Sequence, residues 1–130
     1  MQSWQRHQGT ETVLVVEDDE SVRLLTSRTL RDQGYHVLEA ANGIEALEIA
    51  TYYAGEIHVI LTDVIMPQMS GKEMVAQIEA SRPGIKTLYV SGYTNNVIVH
   101  HGILDRNISF LQKPFTGEHL ARKLRDVINS

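Results

Sequence analysis

The sequence predicts an α/β fold, a single parallel sheet with helices wound over both of its faces. Three observations lead there. Five apolar segments of strand length alternate with five helical patterns along 130 residues, and alternation at that spacing implies right-handed βαβ units. One segment, Ile57-His58-Val59-Ile60-Leu61, is almost unbroken in its apolar character, as a strand buried on both faces of a covered sheet should be. Reactive side chains then stand just beyond several strand ends, where open α/β sheets bind ligands.

Residues 1–11 are polar, glutamine-rich and aperiodic, and read as a flexible lead-in or linker remnant, with Trp4 as a loosely packed side chain. Thr12-Val13-Leu14-Val15-Val16 is β-branched and apolar, a buried first strand ending in Glu17-Asp18-Asp19-Glu20. The helix after it should place Val22, Leu25 and Leu30 on one side and stop at Gly34. A second strand covers 35–40. Asn42 with Glu45 predicts a capping box at the start of a helix that presents Leu47, Ala50 and Tyr53. Beyond the Asp63 strand, Ser70 with Glu73 predicts another box, and the helix it opens carries Met74, Val75 and Ile78 until Pro83-Gly84. The fourth strand covers 85–90 and ends at Ser91-Gly92. A short helix follows from about Thr94 to His101. The last strand covers 108–112 and ends at Lys113-Pro114. Thr116 caps a final helix whose Leu120, Leu124, Val127 and Ile128 lie at core-facing spacing.

Composition sets the bounds. One domain of residues 12–130 is long enough to bury a core, and there is no internal repeat and no room for a second. A net charge of −4 gives no support for nucleic-acid binding. With no cysteine, neither a disulfide nor a zinc-thiolate site can form. No apolar run approaches the roughly 20 residues that span a bilayer, so no membrane contact is expected and a cytoplasmic location is the default.

If the strands take the doubly wound order 2-1-3-4-5, the first and third are neighbours, and Glu17, Asp18 and Asp63 converge at the topological switch point. Two carboxylates about 4 Å apart repel by roughly 4 kcal/mol at an effective dielectric of about 20. Three together call for a cation. The donors are all oxygen, so the ion should be hard: Mg²⁺, or Mn²⁺ in its place. Lys113 brings a positive charge and Ser91 a hydroxyl, both suited to holding phosphoryl oxygens. His100-His101 could suggest a second metal site, but neighbours on a helix face different ways.

At these residues the sequence resembles the receiver domains of two-component signalling, the response-regulator or CheY-like (flavodoxin-like) fold, over about residues 12–128. Val13-Leu14-Val15-Val16-Glu17-Asp18-Asp19, Leu61-Thr62-Asp63-Val64-Ile65-Met66-Pro67, Ser70-Gly71, Ser91-Gly92-Tyr93 and Lys113-Pro114-Phe115 carry the resemblance. It implies the order 2-1-3-4-5. It also implies that Asp63 accepts a phosphoryl group from the phosphohistidine of a sensor histidine kinase or a histidine phosphotransfer domain. Asp18 would be a direct metal ligand, Glu17 its acidic neighbour acting through water, and Ile65 a ligand through its backbone carbonyl. Lys113 would pair with the phosphoryl group, and Ser91 and Phe110 would form the switch. Phosphorylation would reshape the face of the fourth helix, fifth strand and fifth helix, and that face could dimerise. Phe110 departs from the tyrosine common at its position and removes any hydroxyl-dependent step. Ile65 and Tyr93 flank the line along which water would attack the phosphoryl group, and neither can orient a water.

Such a domain catalyses phosphotransfer to itself and its own slow dephosphorylation. An Asp-nucleophile phosphatase would want a second Asp where Ile65 stands, and a flavin or nucleotide module would want a phosphate loop where Glu17-Asp18-Asp19-Glu20 stands. The wording of Ser91-Gly92-Tyr93-Thr94 and Phe110-Leu111-Gln112-Lys113-Pro114-Phe115-Thr116 looks most like receivers carried C-terminally by hybrid sensor histidine kinases, with a stand-alone regulator as the alternative.

Overall fold

The computed structural model describes residues 8–92, 102 and 108–130. Its elements are β1 (Thr12–Val16), α1 (Glu20–Asp32), β2 (His36–Ala40), α2 (Gly43–Tyr52), β3 (Val59–Asp63), α3 (Gly71–Ser81), β4 (Lys86–Ser91), β5 (Phe110–Gln112) and α4 (Gly117–Asn129), the last of the five expected helices. The helix expected at about 94–101 lies outside the described residues, as do Trp4, Tyr93 and the pair His100-His101. The five strands form one sheet in the order β2-β1-β3-β4-β5, and each neighbouring pair is parallel.

Every residue of β1 and β3 is buried. Successive side chains point to opposite faces. Leu14, Val16 and Ile60 enter a core shared with Ala46 and Ala50 of α2 and Met74, Val75 and Ile78 of α3. Val13, Val15, Val59 and Leu61 enter a second core with Leu30 of α1 and Leu120, Leu124 and Val127 of α4. Both faces are therefore dry, which is why β1 and β3 read as continuous apolar runs.

β3 lies two residues further along than the apolar run suggests, so that Asp63 is its last residue. His58 sits at its foot, where Nδ1 accepts the backbone N–H of Thr12 at 2.9 Å. The stripe read on α1 is corrected. Thr26, Ser27 and Leu30 face the core, while Leu25 is 66% exposed and Leu24 52% exposed. Small hydroxyl side chains let this helix lie close to the sheet beside Leu30, and Leu24 and Leu25 are turned out.

Helix ends follow the sequence with one adjustment. Gly34 takes φ +97°, and the N–H groups of Gly34 and Tyr35 donate to Arg31 and Leu30 carbonyls at 2.9 and 3.2 Å, a Schellman stop. Ser70 and Glu73 form the full capping box. Asn42 caps α2 by accepting Glu45 N–H at 2.8 Å, but the Glu45 carboxylate reaches back to Ala41 N–H instead of closing the box on Asn42. Thr116 caps α4.

Candidate functional site

Adjacent parallel strands that end at the same level deliver whatever follows them to one place. Glu17, immediately after β1, continues the sheet by donating its N–H to Ala40 O at 3.0 Å. Asp63 closes β3, and the two side chains are only 6% and 9% exposed. Asp18 is exposed. Carboxylate oxygens of Glu17, Asp18 and Asp63 all lie within 4.8 Å of one another. Asp19 points elsewhere, and its Oδ1 caps α1 by accepting Val22 N–H at 3.0 Å. Of four consecutive acids, two join the carboxylate cluster and one caps the helix.

Lys113 reaches the acids from β5. Its N–H donates to Ser91 O at 2.8 Å, which fixes the backbone, and the Lys113-Pro114 peptide is cis. Nζ lies 2.8 Å from Glu17 Oε1 and 2.8 Å from Asp63 Oδ1. One ammonium therefore faces three carboxylates. Burial pushes the Asp63 carboxyl above its usual range, and the hydrogen bond and charge of Lys113 pull it down without winning. Glu17 Oε2 is buried with no hydrogen-bond partner among the described residues. Leaving such an oxygen unmatched costs on the order of 1–3 kcal/mol or more.

These features fit a hard divalent cation. The donors are oxygen only, one carboxylate is open to solvent, a buried oxygen lacks a partner, and the cleft between them holds about 380 Å³. Glu17, Asp18 and Asp63 could hold the ion. Ile65, 53% exposed, lines the same cleft with Val22, Ser91 and Lys113. Ser91 is buried at the end of β4. Phe110 lies in register beside Tyr89 and packs half-buried on the α2–α3 side of the sheet.

The loop leaving Asp63 is folded tightly. Gln68 has φ +70°, and Met69 N–H donates to Pro67 O at 2.8 Å across it, a γ-turn. Gly71 N–H then donates to Val64 O at 2.8 Å. A Cβ on Gly71 would fall on the Asp63 carbonyl oxygen, so Gly71 holds the acceptor strand end against the start of α3. Ser70-Gly71 stands out in the sequence, but neither this contact nor the direct hold of Glu17 on Lys113 could be read there. A Gly at the first position of a capped helix was the available signal for the former.

A family model described as the response regulator receiver domain matches residues 13–125. The chain belongs to this family. The receiver is 38% identical over 120 residues to sensor kinase CckA of Brucella abortus, a match covering 92% of this chain and 13% of that kinase. It therefore spans about an eighth of that relative. It is also 31% identical to a chemotaxis protein CheY homolog of Campylobacter jejuni, covering 91% of this chain and 92% of that protein. Among solved structures, the receiver domain from hybrid histidine kinase CckA superposes with a TM-score of 0.76 at 34% identity, over 90% of this chain and 98% of that one. This is a receiver domain of two-component systems, and no helix among the described residues is long and apolar enough to cross a membrane.

Proposed function

We propose that this receiver takes a phosphoryl group from a phosphohistidine onto Asp63. The observation that carries the reading is the contact of Lys113 Nζ with both Glu17 and Asp63 in a cleft with more carboxylate than cation. An Asp63 oxygen attacks phosphorus in line. The O–P bond forms as the N–P bond breaks, and the departing imidazole keeps the electron pair and takes up a proton. Lys113 moves from the carboxylate pair to the phosphoryl oxygens and neutralises charge that develops there. Glu17, Asp18, Asp63 and the Ile65 carbonyl would hold Mg²⁺, or Mn²⁺, which when bound supplies further neutralisation of the phosphoryl oxygens. Catalysis is then positioning plus electrostatics, performed by the domain on itself.

Acyl phosphate carries roughly one negative charge more than the carboxylate it replaces. Ser91, on the wall of the cleft, is the hydroxyl placed to meet the new oxygens, and Phe110 is the neighbouring aromatic whose position would change with it. The donor is a sensor histidine kinase or histidine phosphotransfer protein. An apolar groove of about 410 Å³ beside Lys113, lined by Val22, Leu25, Pro114, Phe115 and Leu120, gives it a surface to rest on. The match to a sensor kinase favours a receiver carried by a hybrid kinase and facing the cytoplasm. The match to a CheY homolog over nearly its full length supports the stand-alone alternative. Dimerisation through β5, α4 and the segment at 94–101 would be one output of the switch.

Incubation with acetyl phosphate and Mg²⁺ should add one phosphoryl group by mass, and Asp63→Asn should abolish it. The same stoichiometry in Asp63→Asn would sink the assignment.

A further inference from the structure

We propose that Gln8–Glu11 form a strap whose seating on α4 is coupled to the order of that helix's C-terminal half. The coupling does not depend on phosphoryl transfer. The strap is built in rather than loosely laid. Gly9 N–H donates to Gln33 O at 3.1 Å, and Glu11 O accepts His36 N–H at 3.0 Å, which fixes the strap to the turn between α1 and β2. Arg125 of α4 grips it from the other side: Nη2 meets Glu11 Oε2 at 2.5 Å, and Nη1 donates to Glu11 Oε1 and Gln8 O, each at 3.2 Å. The guanidinium also lies 6.0 Å from the centre of the Tyr35 ring.

A side chain at Gly9 would displace the groups that grip the strap. A Cβ on Gly9 would lie 2.5 Å from both Glu11 Oε1 and Tyr35 Cε1, and a Cβ on Gly34 would lie 2.6 Å from Gly9 O. The ion pair is well shielded, with the Arg125 and Glu11 side chains 17% and 22% exposed, and its hydrogen bonds hold the Glu11 carboxyl below its usual range. The reach between the two backbone anchors is two residues, about 7 Å of extended chain. That leaves little slack. A displacement at Gln8 therefore arrives at Arg125 before it can be absorbed, and by reciprocity a change in α4 is felt at Gln8.

The chain has no cysteine, so a nitroxide carried on Gln8→Cys in the full chain reports strap position without interference. Paramagnetic broadening of the Tyr35 and Arg125 amides should be strong in this single variant and fall at least threefold when Glu11→Gln or Arg125→Met is added. In Glu11→Gln, which leaves the core untouched, amide exchange over residues 125–127 should accelerate about tenfold while β1 and β3 amides keep their rates. Broadening that survives both substitutions would show that the Glu11–Arg125 pair does not seat the strap, and would overturn the proposal. A released strap with unchanged exchange in α4 would remove the coupling.

Discussion

At the amino-terminal end of the sheet Glu11 meets both arms of Arg125, His58 accepts Thr12 N–H, and Arg82 donates to the carbonyls of Ala50, Gly55 and Tyr53 at 3.0, 2.9 and 2.7 Å. At the carboxyl end Asp63 shares a single lysine with Glu17, and Asp18 has no basic partner, among the described residues. Glu11 and Asp63 each have a cation beside them, yet Arg125 holds Glu11 below its usual pKa whereas burial pushes Asp63 above. The difference lies in stoichiometry and burial. A structural ion pair matches charge one for one with two-pronged geometry. A functional site keeps a surplus that only a bound cation and ligand can balance.

The contrast can be broken at either end. The largest change in stability is expected at the closed end. Arg82→Met removes three hydrogen bonds that tie the end of α3 to the last turn of α2 and the loop after it, and should lower stability by about 2–3 kcal/mol in denaturant unfolding. A loss under about 0.5 kcal/mol would mean that water replaces the guanidinium freely. At the open end, if Asp63 is phosphorylated as proposed, Ile65→Asn with Tyr93→Glu should speed loss of the phosphoryl group by roughly tenfold, about 1.4 kcal/mol of barrier. The decay of labelled phosphoprotein in excess Mg²⁺ measures it, and equal rates would mean that water reaches phosphorus by another route. The smallest of the three is Glu11→Gln, about 1 kcal/mol at neutral pH. Because Arg125 lowers the Glu11 pKa in the folded state, the carboxylate's contribution is present above the usual carboxylate range and lost as pH falls through the lowered value. The deficit of Glu11→Gln in thermal melts should therefore shrink in acid, and a pH-independent deficit would assign it to packing.

How much of this could be read beforehand depended on how local the cause was. Strand β3 and its terminal Asp63 follow from an apolar run and one residue, and the caps at Ser70 and Thr116 from spacing alone. The strand order came through the family resemblance, since periodicity does not say which strands pair. On α1 the periodicity misled, because Thr26 and Ser27 are polar by type but small enough to face the sheet. The strap was invisible for a different reason. Glu11 and Arg125 stand 114 residues apart, and their meeting depends on two glycines whose value is the space they leave. Glu17 was placed in the right cleft but without its neighbour, because only the fold shows that Lys113 can reach it.

Surplus negative charge at the carboxyl end is tested most directly by thermal melts of wild type and Asp63→Asn, with and without Mg²⁺. Burial raises the Asp63 pKa, so its cost is absent below the usual carboxylate range, grows as pH rises from that range to the raised value, and is full above it. Without metal at neutral pH, Asp63→Asn should be more stable by about 1 kcal/mol, or about 4 °C, and the advantage should vanish in acid. Saturating Mg²⁺ should stabilise wild type more than the variant and reverse the order. A variant that melts below wild type without metal, and gains equally from Mg²⁺, would show that Asp63 is balanced by Lys113 alone and that the cleft holds no surplus.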